Sequence, residues 1–182
     1  MIRYVAFLRA INVGGHRLIK MDELARIFTA AGLKNVRTYI QSGNVIFDTA
    51  SVNAGALQKK IEKTLRNVLG YEVLVMIRRL ADIEEIVRRN PFKKIEPGAD
   101  AGLFVVFLSD EPQHNPDLPL ISAVENIEVL DIKERAAFTV SRRKKNGMFG
   151  FPNKFVEKEL GVSGTTRNWS TVNKILKVAE KI

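Results

Sequence analysis

Arg3-Tyr-Val-Ala-Phe-Leu-Arg-Ala-Ile11, Asn12-Val-Gly-Gly-His-Arg-Leu-Ile-Lys20 and Asn35-Val-Arg-Thr-Tyr-Ile-Gln-Ser-Gly-Asn-Val-Ile-Phe47 together decide the fold. The first is apolar on both alternating faces apart from Arg3 and Arg9, which predicts a central strand covered on at least one side. If that strand runs unbroken to Ile11, Arg9 shares a face with Val5, Phe7 and Ile11. The second is punctuation, with Gly14-Gly15 supplying positive φ between a strand and a helix. That helix is expected from Met21 or Asp22, with Asp22 as its cap, Leu24, Phe28 and Ala31 on one face and Gly32 at its end. The third reads as a hairpin: Val36, Thr38 and Ile40 alternate, Gln41-Ser-Gly-Asn44 reverses the chain with positive φ at Gly43-Asn44, and Val45 to Phe47 returns.

Working outward, Asn53 to Gly70 carries Leu57, Ile61 and Leu65 at helical spacing, and Glu72 to Ile77 is a further strand. Strand, helix, strand, strand, helix, strand is the split β-α-β order of a ferredoxin-like unit. The expectation is an α+β protein: a four-stranded antiparallel sheet in order 4-1-3-2 over residues 1–79, both helices on one face, and an α+β C-terminal extension over residues 80–182 packed against it. On this topology the loop after the first strand and the turn between the second and third are expected at opposite ends of the sheet, so the loop must bend back for the two to meet.

The extension reads as a helix at Asp82 to Asn90 stopped by Pro91, an apolar strand at Gly102 to Leu108 and a loop from Ser109 to Pro119 that carries His114. A strand pair follows at Asn126 to Ile132 and Arg135 to Ser141, turning at Lys133-Glu134. After the basic run Arg142-Arg-Lys-Lys145, a helix opens at Pro152 and closes at Gly161. A last helix, capped by Thr165 or Thr166, bears Trp169, Val172, Ile175, Leu176 and Ala179 as an apolar stripe.

Composition narrows the chemistry. The chain has 182 residues, with 29 Lys+Arg against 20 Asp+Glu for a net charge of +9, which favours encounters with polyanions. It has no cysteine, which excludes disulfides, iron–sulfur clusters and thiolate zinc, and its two histidines form no ligand cluster. No cofactor or metal is expected. No apolar run approaches the roughly 18 residues of a membrane span, and no signal segment precedes the first strand, so the expected setting is the cytoplasm with no membrane partner.

No catalytic residue is assigned. Ser42 lies in a turn without a Gly-x-Ser-x-Gly elbow, and no carboxylate spacing converges on a cleft, which argues against a hydrolase. Anion binding has better candidates: Arg9, Asn12, Gly14, Gly15, His16, Arg17 and Lys20 around the glycine loop, Gln41, Ser42 and Asn44 in the hairpin turn, and Thr166 with Arg167 at the expected start of the last helix, where free amides would join the guanidinium. Tyr4, Phe7, Tyr39, Phe47 and Trp169 read as packing residues rather than an RNA-stacking platform.

Tyr4-Val-Ala-Phe-Leu-Arg-Ala-Ile-Asn-Val-Gly-Gly-His16, Lys20-Met-Asp-Glu-Leu24, the hairpin Asn35 to Phe47 and Thr165-Thr-Arg-Asn-Trp-Ser-Thr-Val172 resemble the mainly bacterial domain of unknown function 1697. The resemblance implies a ferredoxin-like N-terminal part and no settled activity. Its motifs carry over at Arg9, Asn12, Gly14, Gly15, Arg37, Gln41, Ser42, Gly43, Asn44, Thr166, Arg167, Asn168 and Trp169. The chain departs from the family's usual Arg-Gly by having Arg9-Ala10, and has Met148-Phe-Gly-Phe-Pro-Asn153 where members commonly place a Lys/Arg-Ser-Lys-Leu type segment. The functional expectation is non-enzymatic binding of a phosphate-containing ligand, either a small molecule or nucleic acid. The alternatives are RNA/DNA backbone binding, a structural or protein-interaction module, or an enzyme of unidentified class; no protein partner is named.

Overall fold

The computed structural model describes residues 1–15, 17–95, 98 and 100–181. Its backbone divides into two compact units, Met1–Glu84 with Ile175–Ile182, and Glu85–Lys174.

In the first unit β1 (Ile2–Leu8), α1 (Met21–Ala30), β2 (Lys34–Tyr39), β3 (Asn44–Thr49), α2 (Ala54–Leu69) and β4 (Val75–Arg79) follow in the expected order. The strands form an antiparallel sheet ordered β2-β3-β1-β4, which is 4-1-3-2 read from the other edge. Alternation then sorts the side chains. Tyr4, Ala6 and Leu8 join Val45, Phe47, Val75 and Ile77 in one core with Leu24 and Phe28 of α1 and Leu57, Ile61 and Leu65 of α2, so both helices cover the same face. Phe47 stacks on Tyr4 at 6.0 Å and meets Phe28 edge-on at 5.6 Å. Val5, Phe7, Ile46 and Met76, on the other face, are also buried. Tyr4, Phe7 and Phe47 are thus packing residues.

A charged clasp joins β1 to β3. Arg3 and Asp48 are cross-strand partners, and the guanidinium grips the carboxylate through Nε at 2.7 Å and Nη2 at 2.9 Å. Asn35 Nδ2 donates to the same carboxylate at 2.8 Å, and Arg3 Nη1 reaches the Ala179 carbonyl at 2.7 Å. Those bonds to the ionised form hold the Asp48 carboxyl below its ordinary 3.8, with Arg3 as the larger cause. A carboxyl lowered on folding stabilises fully above the unfolded value of about 4 and loses its contribution as pH falls through the folded one. Wild-type protein is therefore expected to exceed Asp48→Asn by about 1–2 kcal/mol at neutral pH. The gap should close below pH 4, which denaturation midpoints followed against pH will show.

Local signals explain the helix ends. Asn53 Oδ1 accepts from Ala56 N at 2.9 Å to start α2, and Gly70 stops it at φ +77°. Asp22, expected to cap α1, sits instead within its first turn; the N-cap is Lys20, whose side chain makes no capping bond. The strand also ends sooner than expected. β1 stops at Leu8, Ala10 turns left-handed at φ +54°, and Ile11 joins the core containing Tyr4, Ala6 and Leu8, not the Val5 and Phe7 face.

The second unit contains β5 (Ala101–Leu108), β6 (Leu120–Ser122), β7 (Ile127–Lys133), β8 (Ala136–Arg142), α4 (Asn153–Leu160) and β9 (Gly164–Asn168). Before it comes α3 (Leu80–Arg89), and after β9 comes α5 (Trp169–Ala179). The strands make an antiparallel sheet ordered β6-β7-β8-β5-β9, with Val156 and Leu160 of α4 packed on Val106, Leu108, Val129 and Ala137. The β7–β8 hairpin turns through Glu134 and Arg135, both at positive φ, one residue later than expected.

The larger correction is β9. Thr165, Thr166 and Arg167 are strand residues paired with Phe107, Val106 and Val105, not the cap and first turn of a helix. Two β-branched threonines suit a strand, and Gly164 lets it lie close to β5: an added Cβ would stand 2.7 Å from Val106 Cγ1.

Candidate functional site

The glycine loop and the hairpin turn lie at one end of the first sheet, not at opposite ends. β1 and β3 are antiparallel, so the end of β1 must lie beside the start of β3, and Phe7 is paired with Asn44. Leu8 N donates to Gly43 O at 2.8 Å, and Arg9 N to Leu74 O at 2.9 Å. The loop needs no long detour to reach the turn.

Asn12 fastens the two. Its Oδ1 accepts from Ile19 N at 2.8 Å, and its Nδ2 donates to Ile19 O at 3.1 Å and Gln41 O at 2.9 Å. Asn12 N also donates to Arg17 O at 3.2 Å, closing the loop on itself. The backbone here is repeatedly left-handed, at Ala10, Asn12, Gly14, Gly15, Arg17, Ile40 and Gly43. Gly14 and Gly15 are exposed, with open space where a side chain would stand, so their freedom serves the turn and leaves backbone accessible. In the hairpin, positive φ falls on Ile40 and Gly43; Asn44 is instead a buried first residue of β3. Its Nδ2 donates to Tyr39 O at 2.9 Å and Ser42 Oγ at 3.1 Å, binding the turn together.

Beside this junction opens a cleft of about 610 Å³, lined among others by Asn12, Lys20, Glu23, Arg26 and Gln41. The side chain of Lys20 leaves α1 without a cap, and the first turn of that helix borders the same space. Asn12 and Gln41 from the sequence-derived set are therefore brought together at a cavity. Arg9 is half-buried at the strand end, and Arg17 leans over Tyr71 with Cζ 5.2 Å from the ring centroid. His16 lies outside the described residues.

Thr166 and Arg167 belong to the second unit and offer no helix-terminal anion site. Thr166 Oγ1 donates to Asn153 Oδ1 at 3.1 Å. Arg167 is buried, with Nη1 donating to Thr165 Oγ1 at 2.9 Å and Thr166 O at 2.8 Å. Burial lowers its pKa to about 10, which leaves it charged at neutral pH. Sequence reading missed Glu23 and Arg26 as cleft residues. Their signal was available: they occupy the polar side of an amphipathic helix that starts at the end of the glycine loop.

The sequence profile of a protein family of unknown function, DUF1697, matches residues 1–138. The chain belongs to the DUF1697 family. No curated protein matches it. Among solved structures, "conserved bacterial protein SP0830 from Streptococcus pneumoniae" is similar at 22% identity, over 99% of each chain, with a TM-score of 0.69. That likeness concerns the fold alone. Among the described residues no group of three or more His, Asp or Glu is placed to hold a metal, and no helix is long and apolar enough to cross a membrane.

Ala10 now has a physical reading. It is exposed at φ +54°, a conformation that costs an L-residue and costs glycine nothing. Ala10→Gly is expected to stabilise the protein by about 0.5–1 kcal/mol, read as a shift in denaturant midpoint at unchanged slope.

Proposed function

We propose that the chain is a binding protein for a phosphate-containing ligand, held where the glycine loop meets the β2–β3 turn. The observation that carries this reading is the Asn12 fastening. By tying Ile19 and Gln41 together it fixes one wall of a cleft into which the uncapped start of α1 opens, with Lys20 and Arg26 beside it. Unpaired first-turn amides and a flanking cation are the ordinary means of holding an oxyanion. Glu23 is a poor neighbour for phosphate but a good acceptor for a hydroxyl, so a phosphate ester bearing hydroxyl groups fits the lining better than inorganic phosphate.

Calorimetric titration with inorganic phosphate, ribose 5-phosphate and a mononucleotide tests it. The esters are expected to bind more tightly than phosphate, and Arg26→Gln and Lys20→Gln are each expected to weaken them by about tenfold, the worth of one charge-assisted hydrogen bond. Glu23→Gln should narrow the difference between ester and phosphate. Binding untouched by these substitutions, or no binding at millimolar ligand, would overturn the proposal. Affinity for RNA or DNA of many sequences that collapses with salt would move the site to the nucleic-acid backbone.

A further inference from the structure

The second unit contains a cleft that the phosphate reading does not use, on the sheet face where β6, β7 and β8 run side by side. Ile121 of β6 is the cross-strand partner of Glu128 of β7, which in turn stands opposite Val140 of β8. Directly opposed residues point to one face of a sheet, and so does the residue two further along a strand. Arg142 therefore shares that face as the diagonal neighbour of Glu128, a relation that sets two residues about 7–8 Å apart. Ile121, Asn126, Glu128, Val140 and Arg142 all border a cleft of about 340 Å³, at the small end of the range of small-molecule sites.

The two charges on this face are not spent on each other. Among the described residues neither Glu128 nor Arg142 has a side-chain hydrogen bond or ion pair, although Glu128 is half-buried. The charged groups around them are committed. Lys144 Nζ lies 2.6 Å from Glu125 Oε2, and Arg143, which also borders the cleft, lies 3.4 Å from Asp100 and donates to Gly147 O at 3.0 Å. Asn126 is fixed twice: its carbonyl accepts from Arg142 N at 2.8 Å, and its Nδ2 donates to Arg143 O at 3.4 Å. That leaves Asn126 Oδ1 as a further acceptor at the cleft.

Val140 and Ile121 make the rest of the lining apolar. Val140 is fully buried, whereas Ile121 leaves 67% of its surface uncovered. This combination selects among ligands. A phosphate or nucleotide would meet the Glu128 carboxylate, a simple amine would leave Arg142 unanswered, and a metal ion would find a single carboxylate. An extended peptide adding to the free edge of β6 would have only three residues to pair with. A small molecule with an ammonium and a carboxylate a few bonds apart answers both charges. Its ammonium is taken by Glu128 and Asn126 Oδ1, its carboxylate by the guanidinium fork, and an aliphatic group lies on Ile121 and Val140.

We propose that this cleft binds a free α-amino acid with an aliphatic side chain, its ammonium on Glu128, its carboxylate on Arg142 and its side chain against Ile121 and Val140. A free amino acid brings both charges to the one diagonal pair. A peptide carries its two termini at least a residue further apart and places only one of them here. The site lies wholly in the second unit and does not rest on the phosphate reading.

Amide NMR spectra of the isotope-labelled full chain, titrated with leucine, test it. Leucine is expected to move the amides of residues 121–128 and 140–142 saturably and to leave those of the glycine loop in place. Three analogues each lack one feature: leucine methyl ester the carboxylate charge, isocaproate the ammonium, and glycine the aliphatic group. Each is expected to bind about tenfold more weakly than leucine. Arg142→Gln should erase the advantage of leucine over its methyl ester, and Glu128→Gln its advantage over isocaproate, a charge-matched pattern that a merely structural role would not produce. Neither side chain has a partner among the described residues, so both variants are expected to keep the fold, and the analogues test the unaltered protein besides. No saturable shift at millimolar leucine, or glycine, isocaproate or inorganic phosphate binding as tightly as leucine, would overturn the proposal. So would tighter binding of leucyl-leucine, or an affinity for leucine unchanged in both variants.

Discussion

Replacing Gly43 by alanine is expected to destabilise the first unit by about 3 kcal/mol, from two sources that act together. The residue holds φ +75°, where an L side chain meets its own backbone. The new Cβ would also stand 2.5 Å from Ile11 Cδ1, 2.9 Å from Ile11 Cγ1 and 3.0 Å from Leu8 Cβ. Ile11 is buried, and Leu8 Cβ is fixed to a central strand that donates to Gly43 O at 2.8 Å. Neither neighbour can move aside without disturbing the sheet. Urea denaturation followed by far-UV circular dichroism measures the loss. A change under 1 kcal/mol would mean that the hairpin turn relaxes independently of β1.

Asn12→Asp is expected to cost about 2 kcal/mol and to loosen the glycine loop, although it changes volume hardly at all. The aspartate keeps an acceptor for Ile19 N. It loses both donors and instead turns a carboxylate toward the Ile19 and Gln41 carbonyls. The half-exposed position limits the penalty by admitting water. Amide hydrogen exchange should therefore accelerate at Ile19, whose bond to Asn12 anchors the loop, more than at Leu24 in the adjoining helix. The same substitution places a negative charge in the cleft and should abolish binding of phosphate esters there. A protein that loses ester binding while its loop exchange stays unchanged would show that Asn12 acts on the ligand by charge alone.

The contrast between these two residues shows what was legible beforehand. Gly43 could be read from the sequence, because a glycine between two alternating apolar runs demands positive φ whatever surrounds it. Asn44 beside it was misread, since an asparagine is equally at home at positive φ and as a buried clamp, and only its bonds to Tyr39 O and Ser42 Oγ tell which. Thr166-Arg167 failed for a related reason. Threonine serves as a cap and as a strand residue, and the choice was made by β5, which has a free edge for Gly164–Asn168 to pair with.

By itself the sequence determined the order of elements in the first unit, its sheet order and the apolar faces of α1 and α2, because periods of two and of about 3.6 are local properties of the chain. It also marked the glycine loop and the hairpin turn as the irregular backbone of that unit. Tertiary structure alone decided that these two meet, that Arg167 is buried, and that Glu128 and Arg142 border one cleft. Those outcomes depend on which strand ends lie side by side and in what register, and pairing between distant segments leaves no periodic trace in either of them.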